Sequence, residues 1–247
     1  MKTVVVTGAS GILGSRIVLT FLENGYKVIG IDRLPTSINH EFYSHNSIDL
    51  TSENEINQFC SKLDDYSVYG LINNAAVKPE GFFATTEQYS LDTWNNVIQV
   101  NLTAALIMSK ALFPKLKANK TSVIINMSSI YGLRSPIKQI YEDSFYEDVG
   151  GKFNTPLIYS VTKSAILGFT RHLSAEWGEY GIRVNSITPG GVFSGQNESF
   201  VKNYSSFTSL GRMATEIDIS NSALFLLSDS AGYITGHNLV VDGGWST

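Results

Sequence analysis

Residues 3–32, TVVVTGASGILGSRIVLTFLENGYKVIGID, change hydrophobic period twice in one short stretch. A β-branched run from Thr3 to Val6 gives way to glycines. Apolar residues then recur at helical spacing from Ile12 to Asn24, Gly25 closes that helix, and Lys27 to Asp32 returns to strand composition. Strand, helix, strand with a glycine turn after the first strand is a βαβ unit, and it predicts parallel pairing.

The same alternation continues outward. Asn46 to Asp49 reads as a third strand, Glu53 to Leu63 as a helix, Tyr69 to Asn73 as a strand and Leu91 to Lys117 as one or two long helices. Ser122 to Met127, Ile182 to Thr188 and Asn238 to Val241 complete the strands, with helices at Tyr159 to Gly178 and near Thr215 to Leu227. The pattern predicts an α/β fold, a Rossmann-type doubly wound parallel sheet of seven strands in one domain spanning residues 1–247. Two stretches, 133–157 and 190–210, show no period and read as irregular.

Composition narrows the function classes. Apolar residues make up 43% and charged residues 16% of the 247 positions, with a net charge of −4, which gives no electrostatic reason to expect nucleic acid or an anionic membrane as partner. The longest uncharged stretch, Thr93 to Ser109, carries Asn95, Asn96, Gln99 and Asn101, so no membrane span is expected. The glycine-broken start reads as a strand and turn, not a leader, and a cytoplasmic protein is expected. Cys60 lies on the apolar face Ile56, Phe59, Cys60, Leu63 and reads as a small core residue. His40, His45, His172 and His237 are scattered without metal-ligand spacing, so no metal is expected.

Gly8, Gly11 and Gly14, with Ser10, Ile12 and Leu13 between them, sit where backbone amides and a helix N-terminus accept a pyrophosphate. A tight turn needing glycine for packing explains the glycines alone equally well. Asp32 ends the second strand, where a carboxylate hydrogen-bonds ribose hydroxyls and repels a phosphate; this favours NAD over NADP, although Arg33 beside it can accept a phosphate. In PLIYSVTKSA, residues 156–165, Tyr159 and Lys163 are four apart and share a helix face.

The ordered set TGASGILG, Asp32, Asp49 in SIDLT, NNAA at 73–76, Asn101 in VNLT, INMSSIYG, YSVTK, PGGVFS and ITGHNLVVDGG resembles the short-chain dehydrogenase/reductase family over nearly the whole chain. The resemblance implies that Tyr159 is the general acid/base and that Lys163 holds the nicotinamide ribose. It implies that Ser129 bonds the reacting oxygen, with Ser128 a supporting neighbour, and that Asn101 holds a water linking Lys163 to solvent. A free phenol titrates near 10, so the Lys163 charge is expected to favour the phenolate. Cofactor contacts follow by the same resemblance: Asp49 and Leu50 near the adenine, Asn74, Ala75 and Ala76 along the adenosine ribose, and Pro189, Gly190, Val192 and Ser194 around the nicotinamide. A homotetramer, or a dimer, is implied as well, with the helices at 101–117 and 159–178 at the interface.

Three departures from the family pattern stand out. The glycine spacing matches the longer, epimerase-like branch; Ala76 and Ser194 replace a common glycine and threonine; and RSPIKQIYEDSFYEDVGGKFNTPL lengthens the segment between Ser129 and Tyr159. That insertion carries Tyr141, Phe145, Tyr146 and Phe153 beside Glu142, Asp143, Glu147 and Asp148, with Arg134, Lys138 and Lys152. Such a mixture suits a hydroxyl-rich ligand such as a sugar, or a subunit contact. With PGGVFSGQNESFVKNY it resembles a subgroup associated with bacterial surface-sugar and flagellin-glycan pathways. The expected activity is NAD(H)-dependent oxidation or reduction of a small-molecule sugar derivative or polyol. A 3-oxoacyl-thioester reductase and an NAD-binding sensor without turnover are the alternatives.

Overall fold

β1 (Thr3–Thr7) is buried at every position, which explains its unbroken β-branched run: both faces of a central parallel strand meet helices. The computed structural model describes residues 1–63, 68–142 and 155–247, and the backbone of 145–146 and 151–152. β1 pairs in parallel with β2 (Lys27–Ile31) on one side and β4 (Val68–Asn73) on the other. With β3 (Tyr43–Asn46), β5 (Val123–Met127), β8 (Arg183–Pro189) and β9 (Asn238–Val241) the order is β3-β2-β1-β4-β5-β8-β9, parallel throughout. This is the expected seven-stranded, doubly wound Rossmann-type sheet. Two short strands of the insertion, β6 (Phe145–Tyr146) and β7 (Gly151–Lys152), pair antiparallel outside it.

The period of two along β1 divides the core. Val5 joins Ile29, Leu71 and Ile124 under α2 (Glu53–Ser61), α4 (Ala104–Asn119) and α5 (Leu157–Trp177). Val4 and Val6 join Ile72 and Ile125 under α1 (Ile12–Glu23) and α7 (Glu216–Leu227). Phe21 and Ile17 of α1 are fully buried, each stabilising the fold by roughly 1.5–3 kcal/mol relative to exposure. Strand succession reverses between β1 and β4, where a doubly wound sheet opens a crevice beyond its carboxyl ends.

Three sequence expectations are corrected, and a fourth, the run read as one or two long helices, is settled as two. The third strand is Tyr43–Asn46, not 46–49, because Ile48 and Leu50, whose alternation mimics a strand, pack into the core after the strand has ended. The long helical run divides into α3 (Leu91–Ile98), a π turn at Gln99–Thr103 and α4. That run, Leu91–Asn119, is apolar and long enough to cross a membrane by length and composition, contrary to the reading of its polar residues. Here Val97, Met108, Leu112 and Leu116 are instead buried within the fold. The stretch 190–210 contains a helix, α6 (Glu198–Ser206), capped by Asn197, whose side chain accepts from the Phe200 amide at 2.8 Å. Cys60 is buried, as expected, and burial pushes its thiol up to about 12.

Candidate active site

β5 ends against α5 through two small residues. The Ser128 hydroxyl donates to the Lys163 carbonyl at 2.7 Å, and a Cβ on Gly132 would lie 2.6 Å from that same carbonyl oxygen, so only glycine lets the turn after β5 dock there. The docking brings Ser129, Tyr159 and Lys163 to one side of a cleft of about 390 Å³ at the carboxyl ends of β1, β4, β5 and β8. Ser129 is 7% exposed and its hydroxyl also accepts from the Tyr131 amide. The phenol ring of Tyr159 meets Phe82 edge-on at 6.3 Å.

The helical spacing of Tyr159 and Lys163 places the ammonium 5.7 Å from the phenol ring centroid. Lys163 is 5% exposed, donates to the Met127 carbonyl at 2.8 Å, and is pushed down to about 8 by burial. Its expected pull on the phenol is not what dominates in this cleft. Burial raises the Tyr159 pKa above that of an ordinary phenol, and a hydrogen bond from Ser129 is what acts in the opposite direction. Tyr159 therefore stands here as a neutral proton donor.

Asn101 occupies the π turn between α3 and α4, a local widening that turns its side chain inward. Its Oδ1 accepts from the Val77 amide at 3.0 Å, while its buried Nδ2 has no hydrogen-bond partner among the described residues. It does not line the catalytic cleft; with Leu50 and Ala75 it borders a small separate cavity of about 10 Å³ behind it.

On the cofactor side the glycines are sterically distinct. Gly8 has φ +66°, and a Cβ on Gly14 would lie 1.9 Å from the Gly8 carbonyl oxygen. A Cβ on Gly11 would meet only that oxygen, at 3.5 Å, so the space above it is open. Gly11 caps α1 without a side-chain bond, leaving the first-turn amides to a ligand. Ser10 donates from its amide to Asp32 at 3.0 Å, and the Leu34 amide donates to the other oxygen of that carboxylate at 2.9 Å. Asp32 thus clamps the loop as well as ending β2. Arg33 lies 3.7 Å from Asp49, whose carboxyl is held low first by the Thr51 amide. Asn74 Nδ2 donates to the Thr7 and Gly8 carbonyls, holding the loop against β4. Ile12, Leu13, Asn74, Ala76, Pro189, Gly190, Val192 and Ser194 all line the cleft.

Beside Tyr141, which the insertion had singled out, several cleft residues escaped the sequence reading. Tyr131, Tyr141 and Thr155 form a chain of hydroxyls, with Tyr141 and Thr155 2.6 Å apart. Tyr204 stacks on Trp245 and accepts from the Gly191 amide. Tyr141 and Phe200 meet at 5.8 Å, joining the insertion to α6. Phe200 and Tyr204, four apart behind an Asn cap, were the available signal. Of the insertion's named residues, Asp143, Glu147, Asp148 and Phe153 lie outside the described residues. Among the described residues no group of His, Cys, Asp and Glu is placed to hold a metal.

An uncapped helix start, a loop that Cβ atoms would obstruct and a carboxylate at the end of β2 together fit a dinucleotide. Comparison with known proteins agrees: the family model described as enoyl-(acyl carrier protein) reductase matches residues 8–246. The chain belongs to the short-chain dehydrogenase/reductase family. A member from Leptospira borgpetersenii, a short chain dehydrogenase solved with bound NAD+, superposes with a TM-score of 0.90 at 33% identity, covering 100% of this chain and 93% of that one. 4-Hydroxyisoleucine dehydrogenase complexed with NADH and succinate superposes at 0.85 with 27% identity, covering 98% and 99%. Dehydrogenase/reductase SDR family member 6 of Rattus norvegicus is 29% identical over 99% of this chain and 97% of its own length. A nicotinamide cofactor is therefore the family's equipment for this site.

Proposed function

We propose that this short-chain dehydrogenase/reductase is NAD(H)-dependent and interconverts a secondary alcohol and a ketone on a sugar derivative or other polyol. The observation that carries the reading is the placement of Ser129 and Tyr159 together on the wall of the cleft, with Lys163 buried beside the phenol. The bound nicotinamide would supply or accept the hydride. Tyr159, neutral through burial, gives its proton to the carbonyl oxygen in reduction and takes it back in oxidation, while Ser129 orients that oxygen. Gly8 and Gly14 with the start of α1 would hold the pyrophosphate. Asp32 would hold the adenosine ribose, and the engagement of Arg33 with Asp49 supports NAD over NADP.

Two similar relatives favour a second reading, reduction of a 3-oxoacyl thioester: a 3-oxoacyl-(acyl-carrier-protein) reductase of Buchnera aphidicola, 29% identical, and an acetoacetyl-CoA reductase of Acinetobacter, 27% identical. The hydroxyl-bearing aromatic wall of Tyr131, Tyr141 and Tyr204 supports the polar substrate over it. Nothing supports a sensor without turnover, since Ser129, Tyr159 and Lys163 stand together. We further propose a homo-oligomer working in the cytoplasm; a monomeric mass at assay concentration contradicts the first part.

The test is nicotinamide absorbance with NAD and NADP separately, across sugar phosphates, nucleotide-activated sugars, polyols and 3-oxoacyl thioesters. The nucleotide-activated sugars are included for the subgroup resemblance to surface-sugar enzymes. Turnover of a sugar or polyol with NAD is expected. Exclusive turnover of thioesters refutes the substrate class, and silence across the panel with tight NADH binding refutes the activity.

A further inference from the structure

The loop after β4 is pinned on both sides of Lys78. The Val77 amide donates to Asn101 at 3.0 Å, and the Glu80 carbonyl accepts from Thr93 at 3.0 Å. Lys78 lines the catalytic cleft, and its ammonium has no hydrogen bond or ion pair among the described residues. Lys78 is an exposed cation held on a fixed loop at the cleft, and no aspartate or glutamate among the described residues lines that cleft to pair with it.

The remaining polar groups point the same way. Tyr204 accepts from the Gly191 amide, which leaves its own proton to give. Ser194 accepts from Gln196 at 3.1 Å, leaving its proton likewise. Gln196 is occupied at both ends, donating to the Val192 carbonyl and accepting from the Ser194 amide. The cleft therefore offers several donors and a cation, and no carboxylate among its described residues. A neutral polyol can use those donors but leaves Lys78 without a counter-charge; an oxyanion, which only accepts, uses the donors and the cation together.

We propose that the substrate carries a carboxylate or phosphate besides its oxidisable hydroxyl, and that Lys78 is the specificity-determining residue that pairs with this anion. The proposal rests on the dehydrogenase reading and narrows its substrate class to hydroxy acids, sugar acids and sugar phosphates. Loss of a charge-assisted pair of this kind costs about ten- to a hundredfold in affinity.

The experiment compares matched pairs: hydroxy acids with their amides, sugar acids with their lactones and sugar phosphates with the free sugars, in wild type, K78R, K78Q and K78E. The ratio of kcat/KM for the anionic over the neutral member is expected to exceed one in wild type and persist in K78R. It should fall about tenfold or more in K78Q, chiefly through KM, and further in K78E. Acid-selective and phosphate-selective ratios distinguish the two anions. A ratio below one in wild type, or one unmoved in K78Q and K78E, overturns the proposal while leaving Tyr159-dependent turnover intact. Malonate and inorganic phosphate, titrated onto the NADH complex and read by thermal shift, provide an arm independent of turnover. Lys78-dependent stabilisation by either supports the anion site even where no substrate turns over, and equal shifts in wild type and K78E overturn it.

Discussion

Substituting alanine for Gly14 and, separately, for Gly11 divides the glycine loop into what the fold requires and what the cofactor requires. A Cβ on Gly14 would stand 1.9 Å from the Gly8 carbonyl oxygen and 3.0 Å from the Ala9 Cα. Both obstacles are backbone, so no side chain can rotate away. To restore ordinary contact the start of α1 and the loop must part by about 1 Å, a displacement that costs on the order of a hundredfold when it misplaces a bound reactant. Overpacking of this kind also destabilises by about 1–3 kcal/mol. Gly11 has φ −71°, accessible to any residue, and its Cβ would meet only the Gly8 oxygen at 3.5 Å. Gly11→Ala therefore keeps the wild-type Tm. Any loss of NADH affinity in it reports a ligand in the open space above Gly11. The assay is NADH titration by fluorescence with parallel thermal melts. Gly14→Ala that melts with wild type and binds NADH with unchanged affinity refutes the steric account of the loop.

Other outcomes follow from the same geometry. In Asp32→Asn the one remaining side-chain oxygen can keep the Ser10 amide bond, while the Leu34 amide bond and the charge are lost, so the ratio of kcat/KM with NAD over NADP should fall by about tenfold or more; an unchanged ratio contradicts the ribose role. Lys163 titrates near 8 in the fold and near 10.5 in the unfolded chain. Between these values the unfolded state binds more protons, so the burial penalty, full below about 8, is relieved as pH rises. Chemical denaturation should show wild type gaining about 2 kcal/mol on Lys163→Met between pH 7.5 and 9.5, and a gap independent of pH contradicts it.

Legibility from sequence differed by element. The βαβ unit and the pairing of Tyr159 with Lys163 were readable because each rests on a local period, two for a strand and 3.6 for a helix. β3 was misplaced because Ile48 and Leu50 satisfy the strand period while packing as loop residues. The direction of the Tyr159 shift was missed because burial, its main cause, is set by neighbours distant in sequence such as Phe82. Tyr131, Thr155 and Tyr204 come to the cleft from three separate segments, two of them without a regular period, so only the fold shows that they share a wall.

The central claim is that Tyr159 moves the proton within a nicotinamide-dependent reaction. The direct measurement is single-turnover reduction of a ketone substrate by prebound NADH in wild type and Tyr159→Phe, with NADH affinity measured for both. Phenylalanine removes only the hydroxyl, so the account predicts NADH binding within a fewfold of wild type and a hydride-transfer rate lower by about 10²–10⁴-fold. A Tyr159→Phe rate within a fewfold of wild type would contradict it.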